Sequence, residues 1–161
     1  MDNRHIHFTL QTTPIEDSQL LEQIRTLLQI ASFWARERST SDLAIALANS
    51  EPVVLVWDGD RLIGHARALS DGVYRATIWD VVIHPDYQGR GLGRKLVQTV
   101  LAHPKVARVE RVYLTTTYQQ AFYERIGFVP NSSTTMVLYN YTPSALSPDS
   151  ERSRWETNAV S

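Results

Sequence analysis

The sequence lacks cysteine altogether and has no long apolar run. Without cysteine, a disulfide scaffold, a thiol nucleophile and every cysteine-ligated metal site are excluded. No stretch approaches the roughly 18 apolar residues that a membrane span needs, and the first residues lack the basic segment and apolar run of a signal peptide. We therefore expect a cytoplasmic protein that does not enter a membrane.

An excess of charge of one sign is also missing, since 16 Lys and Arg residues face 17 Asp and Glu residues. This balance gives no general attraction to nucleic acid or to an anionic membrane surface. The 161 residues suffice for one domain with a single core. His5 and His7 share one side of a predicted strand, but no carboxylate is spaced to complete a site with them, so we expect no metal.

Hydrophobic patterning predicts an α+β chain, that is, a mixed α/β fold. A period of 3.6 residues predicts a helix from Asp17 and a second one that begins at Ser41 or Asp42. Asp-Gly pairs at 58–59 and 71–72 predict hairpins. The predicted strands are 5–12, 53–57, 62–69, 73–84, 111–116 and 134–141, and two further helices are expected from Leu92 to near His103 and over 118–126. This order predicts an antiparallel meander joined to a βαβ crossover.

The C-terminal end differs in composition from the rest of the chain. Residues 143–161 contain five Ser and two Pro without any periodicity, which predicts a flexible tail after a domain over residues 1–142. The last predicted strand, 134–141, is apolar enough to pair with a second copy of the chain. A homodimer is therefore a hypothesis at this stage.

The turn from Gln88 to Gly93 carries the clearest chemical signal. Its three glycines let the backbone turn sharply and leave its amides uncovered at the start of a predicted helix, which is a favourable site for phosphate. Arg90, Arg94 and Lys95 add positive charge there. The spacing fits neither a Walker A loop nor a dinucleotide-binding fingerprint. The alternative is a glycine-rich helix start without a ligand.

Two motifs in sequence order resemble those of the GCN5-related N-acetyltransferases (GNAT). The run Gln88-Gly89-Arg90-Gly91-Leu92-Gly93 matches their Gln/Arg-x-x-Gly-x-Gly/Ala signature, and residues 121–128 resemble their second hallmark, a short helix that ends in Gly-Phe. The resemblance covers residues 5–142. It implies the GNAT acyl-CoA N-acyltransferase fold: a central, twisted, mostly antiparallel sheet, flanked by helices, whose fourth and fifth strands splay apart.

A narrower resemblance concerns the acceptor. Residues 70–72 and 76–81 look most like the serotonin (arylalkylamine) N-acetyltransferases of plastids and cyanobacteria. The bacterial ribosomal-protein N-terminal acetyltransferases also share much of the stretch 76–93. The resemblance therefore implies transfer to a small arylalkylamine, with a protein Nα- or lysine acetyltransferase as an alternative. A non-catalytic acyl-CoA-binding sensor is the alternative from another class.

The family resemblance implies acetyl-CoA as the donor, with its pyrophosphate on the amides of residues 88–93. Its pantetheine would pair with the edge of the fourth strand like an added strand. Thr116 stands where relatives carry Asp or Asn, so it can only position water or the pantetheine. The cofactor-binding residues implied in this way are Val81, Val82, Ile83, Gln88, Gly89, Arg90, Gly91, Leu92, Gly93, Arg94 and Thr116.

Two residues are candidates for proton transfer. Tyr123 matches the general-acid tyrosine of the family, and its alternative is a core aromatic residue. Asp80 is an acid in an otherwise apolar strand, where burial would raise its pKa toward that of a useful base. A bulge or an outward-facing pleat would instead leave Asp80 in solvent. Glu110 and bulk water are the other candidates for the base.

Aromatic residues supply candidates for the acceptor pocket. Trp79 forms either an aromatic wall for the substrate or part of the core on the opposite face. Phe33 and Trp34 are expected to line the pocket, because in this family the segment between the first two helices shapes it; a core role for Phe33 is the alternative. The neighbouring Arg36 and Arg38 are interpreted as a solvated helix end.

Overall fold

A five-stranded sheet forms the frame of the structure, a computed structural model that describes residues 5–140. Its strands lie side by side in chain order: β1 (Ile6–Leu10), β2 (Val53–Asp58), β3 (Arg61–Ser70), β4 (Arg75–Ile83) and β5 (Arg111–Tyr113). Neighbours are antiparallel except β4 and β5, which are parallel. The predicted meander and crossover are thereby confirmed. The chain divides after Thr115 into two units, and the sheet belongs to the first.

Two hairpin turns link β2, β3 and β4 at the predicted Asp-Gly pairs. Gly59 and Gly72 both have positive φ, at 57° and 77°, a conformation that costs glycine little because it has no Cβ. In the second turn the Asp71 carboxylate accepts hydrogen bonds from three backbone amides, at 2.7–3.0 Å. Local turn chemistry therefore sets the register of each hairpin next to its turn, and a β-bulge changes that register further along each strand pair.

Four helices complete the first unit: α1 (Ser18–Ala31), α2 (Thr40–Ala48), α3 (Leu92–Ala102) and α4 (Pro104–Ala107). The first helix begins where the sequence predicts it, and the Asp17 side chain caps it through hydrogen bonds from two backbone amides. The predicted start of α2, at Ser41 or Asp42, is wrong by two or three residues, because Ser39 is the cap and its hydroxyl accepts from the Asp42 amide. A serine at position 39 or 41 can accept a hydrogen bond from a backbone amide of the first helical turn, so the sequence alone does not distinguish the two.

The core lies where α1 and α2 cover the sheet. Leucine and isoleucine side chains from one stripe of α1 pack with two leucines of α2 and with β2 residues. The cluster comprises Ile15, Leu21, Ile24, Leu27, Leu28, Ala35, Leu43, Leu47, Val53, Leu55, Leu62 and Val82. Val54 and Val56 alternate with Val53 and Leu55 along β2 and are also fully buried, so β2 is covered on both faces.

The pairing of β4 changes along its length. Only Arg75–Thr77 pairs with β5, so from Ile78 onward β4 has no strand on that side among residues 5–140. The β3–β4 register also shifts between His65 and Arg67, which pair with Val82 and Trp79. The extra residue makes a β-bulge in β4, and within it Asp80 has φ of 53°, in the left-handed region that L-residues avoid.

The second unit contains α5 (Gln120–Glu124), shorter than the predicted helix over 118–126. The predicted strand 134–141 is wrong for its described part, since residues 134–140 contain no strand and Tyr141 lies outside the described residues. Met136 and Leu138 are 90% and 86% exposed. Apolar β-forming residues make a strand only where a partner strand meets them. The structure thus offers no support for a dimer built on this strand, and the predicted tail, 143–161, lies outside the described residues.

Candidate active site at the β4 bulge and the glycine-rich turn

The unpaired edge of β4 leads directly into the glycine-rich turn. Val82 and Ile83 are 1% and 4% exposed, whereas Val81 is half-buried. The Gln88 side chain donates a hydrogen bond to the carbonyl of Ile83 at 3.0 Å and so ties the turn to the end of the strand. The structure thereby brings the predicted pantetheine edge and the predicted phosphate turn into one continuous surface.

The turn exposes backbone amides as the sequence predicts. Gly89 and Gly91 have φ of 74° and 78°, and a Cβ placed on either would meet nothing within 4 Å. Gly91 is the N-cap of α3 without any side-chain cap, and the first helical hydrogen bond runs from the Lys95 amide to the Gly91 carbonyl. The amides of the first turn, from Leu92 on, therefore remain available to an anion at the positive end of the helix.

The basic residues of the turn differ in how firmly they are held. The Arg90 guanidinium lies over the Tyr87 ring, 5.0 Å from its centroid, and donates to the Asp86 carbonyl at 2.9 Å. The Tyr87 hydroxyl is itself fixed by a 2.6 Å hydrogen bond to Asp58. Arg94 is exposed on α3. One positive charge is thus pre-positioned beside the turn, and another is left in solvent.

Asp80 is the centre of a buried polar cluster. Its side chain is 3% exposed; Oδ2 accepts from Arg38 Nη1 at 2.7 Å and from Arg67 Nε at 2.8 Å, and Oδ1 accepts from Trp34 Nε1 at 3.2 Å. Arg67 also donates to the Ser50 hydroxyl at 3.2 Å. We call Trp34, Arg38, Ser50, Arg67 and Asp80 the Asp80 cluster. It joins the α1–α2 segment to the β4 bulge.

The charge state of Asp80 differs from the one expected from the sequence. Burial alone would raise its pKa, but the guanidiniums of Arg38 and Arg67 outweigh burial and lower the pKa to about 2. The predicted upward shift is therefore wrong. A bulge is present, yet it directs Asp80 into the cluster and not into solvent. A carboxylate with so low a pKa is a poor proton acceptor at neutral pH.

Three residues around Asp80 escaped the sequence reasoning. Arg38 was interpreted as solvated, whereas it is the nearest ion-pair partner of Asp80. Arg67 and His65 come from β3, and the His65 Nδ1 lies 3.0 Å from the Asp80 carbonyl, which makes Nδ1 the donor. The sequence carried only part of the signal. An acid inside an apolar strand requires cationic partners, but Arg67, His65 and Arg38 lie 13, 15 and 42 residues from Asp80 along the chain.

His65 is fully buried, and its Nε2 atom has no hydrogen-bond partner among the described residues. Desolvation lowers its pKa, so the ring is neutral at physiological pH. The bulge takes the Asp80 carbonyl out of regular strand pairing, and the His65 Nδ1–H satisfies it. His65 therefore stabilises the backbone geometry at Asp80.

The predicted aromatic residues lie near this cluster in different ways. Trp34 is 38% exposed, bonds Asp80 and meets Phe33 edge to face at a centroid distance of 5.0 Å. Trp79 is paired in register with Arg67 and is 39% exposed, so the core alternative for Trp79 is wrong. Phe33 is half-buried. Two indole rings of the first unit thus present surface to solvent at or beside the bulge.

Glu110 lies far from the bulge. It stands just before β5, where it forms ion pairs with Arg75 at 3.3 Å and Arg111 at 3.5 Å. Arg75 begins β4 and lies six steps before Val81, which corresponds to about 20 Å along a strand. A direct role for Glu110 as the base at Val81–Ile83 therefore has no geometric support.

The second unit holds the other two predicted site residues. The Tyr123 ring packs edge to face against Phe122 and Phe128, at 4.9 and 5.8 Å, and its backbone carbonyl accepts from the Ile126 and Phe128 amides. Burial raises the pKa of Tyr123 to about 12, so its hydroxyl keeps its proton at neutral pH. The Thr116 hydroxyl accepts from the Gln119 amide at 3.1 Å, which orders the start of α5.

None of the helices in the part of the chain that is described is long and apolar enough to cross a membrane. Within the same residues, no group of three or more His, Asp or Glu side chains is placed to hold a metal ion.

The parallel β4–β5 pair, the β4 edge that continues beyond it and the turn at the start of α3 are features of the GNAT fold. The chain belongs to the Acetyltransferase (GNAT) family, whose sequence profile matches residues 21–128. Solved structures agree: a GNAT-family protein from Xanthomonas campestris superposes with a TM-score of 0.71 at 27% identity, covering 86% of this chain and 94% of that one. A GNAT-family acetyltransferase from Streptococcus pneumoniae gives 0.69 at 26% identity, covering 84% and 98%.

Curated relatives carry acetyltransferase names. The chain is 43% identical over 111 residues to "Uncharacterized N-acetyltransferase ycf52-like" of Prochlorococcus marinus. This alignment covers 66% of this chain and 60% of that protein. The chain is also 37% identical over 107 residues to "Histone acetyltransferase TAP1" of Glycine max, covering 59% and 46%. The chain thus spans less than two thirds of the length of these relatives.

Proposed function

We propose that this protein is an acetyl-CoA-dependent N-acetyltransferase that transfers an acetyl group to the primary amine of a small arylalkylamine such as serotonin or tryptamine. The observation that carries the donor half of this proposal is the free edge of β4, continuous with the amide-lined turn at α3. An extended chain with amide groups can pair with the strand edge, and a pyrophosphate can bind the helix start. Acetyl-CoA has both parts.

The chemistry requires a neutral amine, which attacks the thioester carbonyl carbon. The carbon–sulfur bond breaks, and the thiolate that leaves takes up a proton. We assign this proton to the Tyr123 hydroxyl, in keeping with the family resemblance. Its raised pKa keeps the phenol protonated until the thiolate forms. The amine loses its own proton to water.

Asp80 has a different role in this proposal from the one expected of it. Its low pKa makes proton abstraction unfavourable, whereas its three side-chain hydrogen bonds hold the α1–α2 segment on the bulge. We therefore assign Asp80 to positioning. It fixes Trp34, which with Trp79 offers indole surface suited to an aromatic acceptor.

A second candidate function is acetylation of protein amines. The relative named histone acetyltransferase supports it. Against it stands the exposed indole surface of Trp34 and Trp79 at the bulge, which suits an aromatic acceptor better than the aliphatic side chain of a lysine. We therefore rank the small amine first.

The test is release of free CoA from acetyl-CoA with serotonin, tryptamine, tyramine, spermidine and a peptide that carries a lysine and a free N-terminus. We expect turnover with the arylalkylamines and a fall in kcat of about 100-fold or more in Tyr123→Phe. Tyr74→Phe is the matched control, because Tyr74 is 62% exposed in the β3–β4 turn. Preference for the peptide would favour the second candidate.

Two outcomes contradict the proposal more deeply. Binding of acetyl-CoA without turnover on any amine would point to an acyl-CoA sensor. Full activity of Tyr123→Phe would show that another group protonates the thiolate.

A further inference from the structure

The Asp80 cluster holds more positive than negative charge. Two guanidiniums, those of Arg38 and Arg67, face one carboxylate. Among residues 5–140, no carboxylate other than that of Asp80 lies within ion-pair distance of Arg38 or Arg67. The cluster therefore keeps one uncompensated positive charge in a place where solvent screening is reduced.

The surplus charge is placed where a ligand can reach it. The Arg67 side chain is 13% exposed and donates hydrogen bonds to Asp80 and Ser50, so it stabilises the cluster from inside and is not open to a ligand. The Arg38 side chain is 34% exposed and donates to Asp80 through Nη1 alone among the described residues. A guanidinium carries five N–H donors. Arg38 thus has donors left on its solvent side, and its orientation is already fixed.

The surroundings of Arg38 suit an aromatic ligand. Trp34 shares the Asp80 carboxylate with Arg38, and Trp79 is the sheet partner of Arg67. Both indoles are more than one third exposed. Asp80 directly precedes Val81, the first residue of the strand edge assigned to the donor. An anchored cation, exposed indole surface and the donor edge therefore lie within one bulge and the segment bonded to it.

We propose that the acceptor carries an α-carboxylate beside its amine, that is, that it is an aromatic amino acid, and that Arg38 binds this carboxylate. This inference rests on the proposed acetyl transfer, and it ranks an arylalkylamine that carries a carboxylate, such as tryptophan, above serotonin and tryptamine as the acceptor. The carboxylate of the acceptor would neutralise the surplus charge, and it would accept a charge-assisted hydrogen bond from an N–H group of Arg38 that Asp80 does not use. A plain arylalkylamine, which is a cation in solution, gains neither and meets a positive cluster.

The experiment compares three acceptors that share one indole: tryptophan, tryptophan amide and tryptamine. Values of kcat/KM are expressed per neutral amine, which removes the differences between the amine pKa values. The amide has the shape of the carboxylate without its charge. We expect tryptophan to exceed tryptophan amide and tryptamine by about tenfold or more, the effect of one hydrogen bond to a charged group.

The variants locate the effect. Arg38→Gln should remove the preference for tryptophan over its amide, and Arg38→Lys should keep most of it. Arg36→Gln is the matched control, because Arg36 is exposed two residues away and forms no ion pair with a described residue. Thermal unfolding of each variant checks that the fold is retained. The readout is the ratio between two acceptors, which a general loss of structure does not change.

Three results overturn the inference. The first is a kcat/KM for tryptophan amide or tryptamine that equals or exceeds the value for tryptophan. The second is a preference for tryptophan that survives in Arg38→Gln. The third is a higher kcat/KM for a Trp-Asp dipeptide amide, which carries its carboxylate on the second residue, than for tryptophan. Each of these leaves the proposed acetyl transfer standing. Failure of the proposed function looks different, since no amine would then release CoA from the wild-type protein.

Discussion

Asp80 shows how a buried carboxylate is kept ionised by its neighbours. Desolvation opposes its charge, yet two guanidiniums and an indole N–H supply three hydrogen bonds to its two oxygens. The same contacts that hold the pKa near 2 also make it a weak base. The residue is thereby suited to holding elements in place, and the proton of the amine must leave by another route.

Replacement of Asp80 separates these two roles. In Asp80→Asn we expect the acidic limb of the kcat/KM profile to keep its midpoint, because a group with a pKa of about 2 does not titrate in the working range. Stability should fall by about 3 kcal/mol, since two arginines lose their anion in a mostly buried site. Urea unfolding and pH–rate profiles measure these effects.

The control for this substitution is Asp60→Asn, on the exposed turn between β2 and β3. It should leave the pH–rate profile unchanged, and it should change the free energy of unfolding by no more than a few tenths of a kcal/mol. Loss of the acidic limb in Asp80→Asn alone would show that Asp80 is the base after all.

At the scale of elements, the start of α3 is the part to which the proposed function assigns the pyrophosphate of acetyl-CoA. Gly91 caps the helix in a left-handed conformation, and its side-chain-free backbone leaves the first amides open. Gly93 follows inside the first turn. A phosphate at this place interacts with the amides and with the helix dipole together.

A carboxylate at Gly93 should compete for this site. In Gly93→Asp we expect acetyl-CoA affinity to fall at least about tenfold, because the new negative charge repels the pyrophosphate. Stability should hold, since an acid in the first turn of a helix is favourable. Calorimetric titration with acetyl-CoA measures the affinity, and Gly93→Asn, of equal size and without charge, is the control. If Gly93→Asp bound acetyl-CoA as the wild type does, the assignment of the phosphate to this turn would be wrong.

At the scale of the whole molecule, the Asp80 cluster links distant parts of the first unit. Its members come from the α1–α2 segment, the α2–β2 connection, β3 and β4. Arg38 and Trp34, which lie 42 and 46 residues from Asp80 along the chain, both donate hydrogen bonds to its carboxylate. Protonation of Asp80 therefore weakens the packing of several elements at once.

This linkage predicts how stability depends on pH. The pKa of Asp80 is lowered from 3.8 in the unfolded chain to about 2 in the folded one, so the contribution is present above 3.8 and is lost as pH falls toward 2. At 1.36 kcal/mol per unit of pKa, it amounts to about 2 kcal/mol. The lowered pKa values of Asp71 and Glu22, both solvent-exposed, act in the same direction.

Urea unfolding at neutral pH and at pH values down to about 2 measures this loss. The Asp80→Asn protein should lose less stability over the same range, because it lacks the titrating group. Equal losses in the two proteins would mean that other carboxyl groups carry the acid sensitivity.

The sequence by itself determined the features that depend on neighbours along the chain. The leucine period of α1, the two Asp-Gly turns and the glycines before α3 act through local geometry, so α1, the meander, the crossover and the sharp turn before α3 could be predicted. Phosphate binding at that turn stays a prediction. The motifs around Gly91 and Gly127 sufficed for the family. The cytoplasmic location, the absence of a metal and the domain limit at residue 142 stay predictions.

Only the tertiary structure decided what surrounds Asp80. Its bulge depends on how β3 meets β4, and its partners Trp34 and Arg38 arrive through the packing of α1 and α2 on the sheet. The pattern of one strand does not specify such contacts, which is why the pKa of Asp80 was predicted in the wrong direction. The strand expected over 134–141 was wrong over its described residues, 134–140, for the same reason. Pairing is a property of two segments, and the apolar pattern belongs to one.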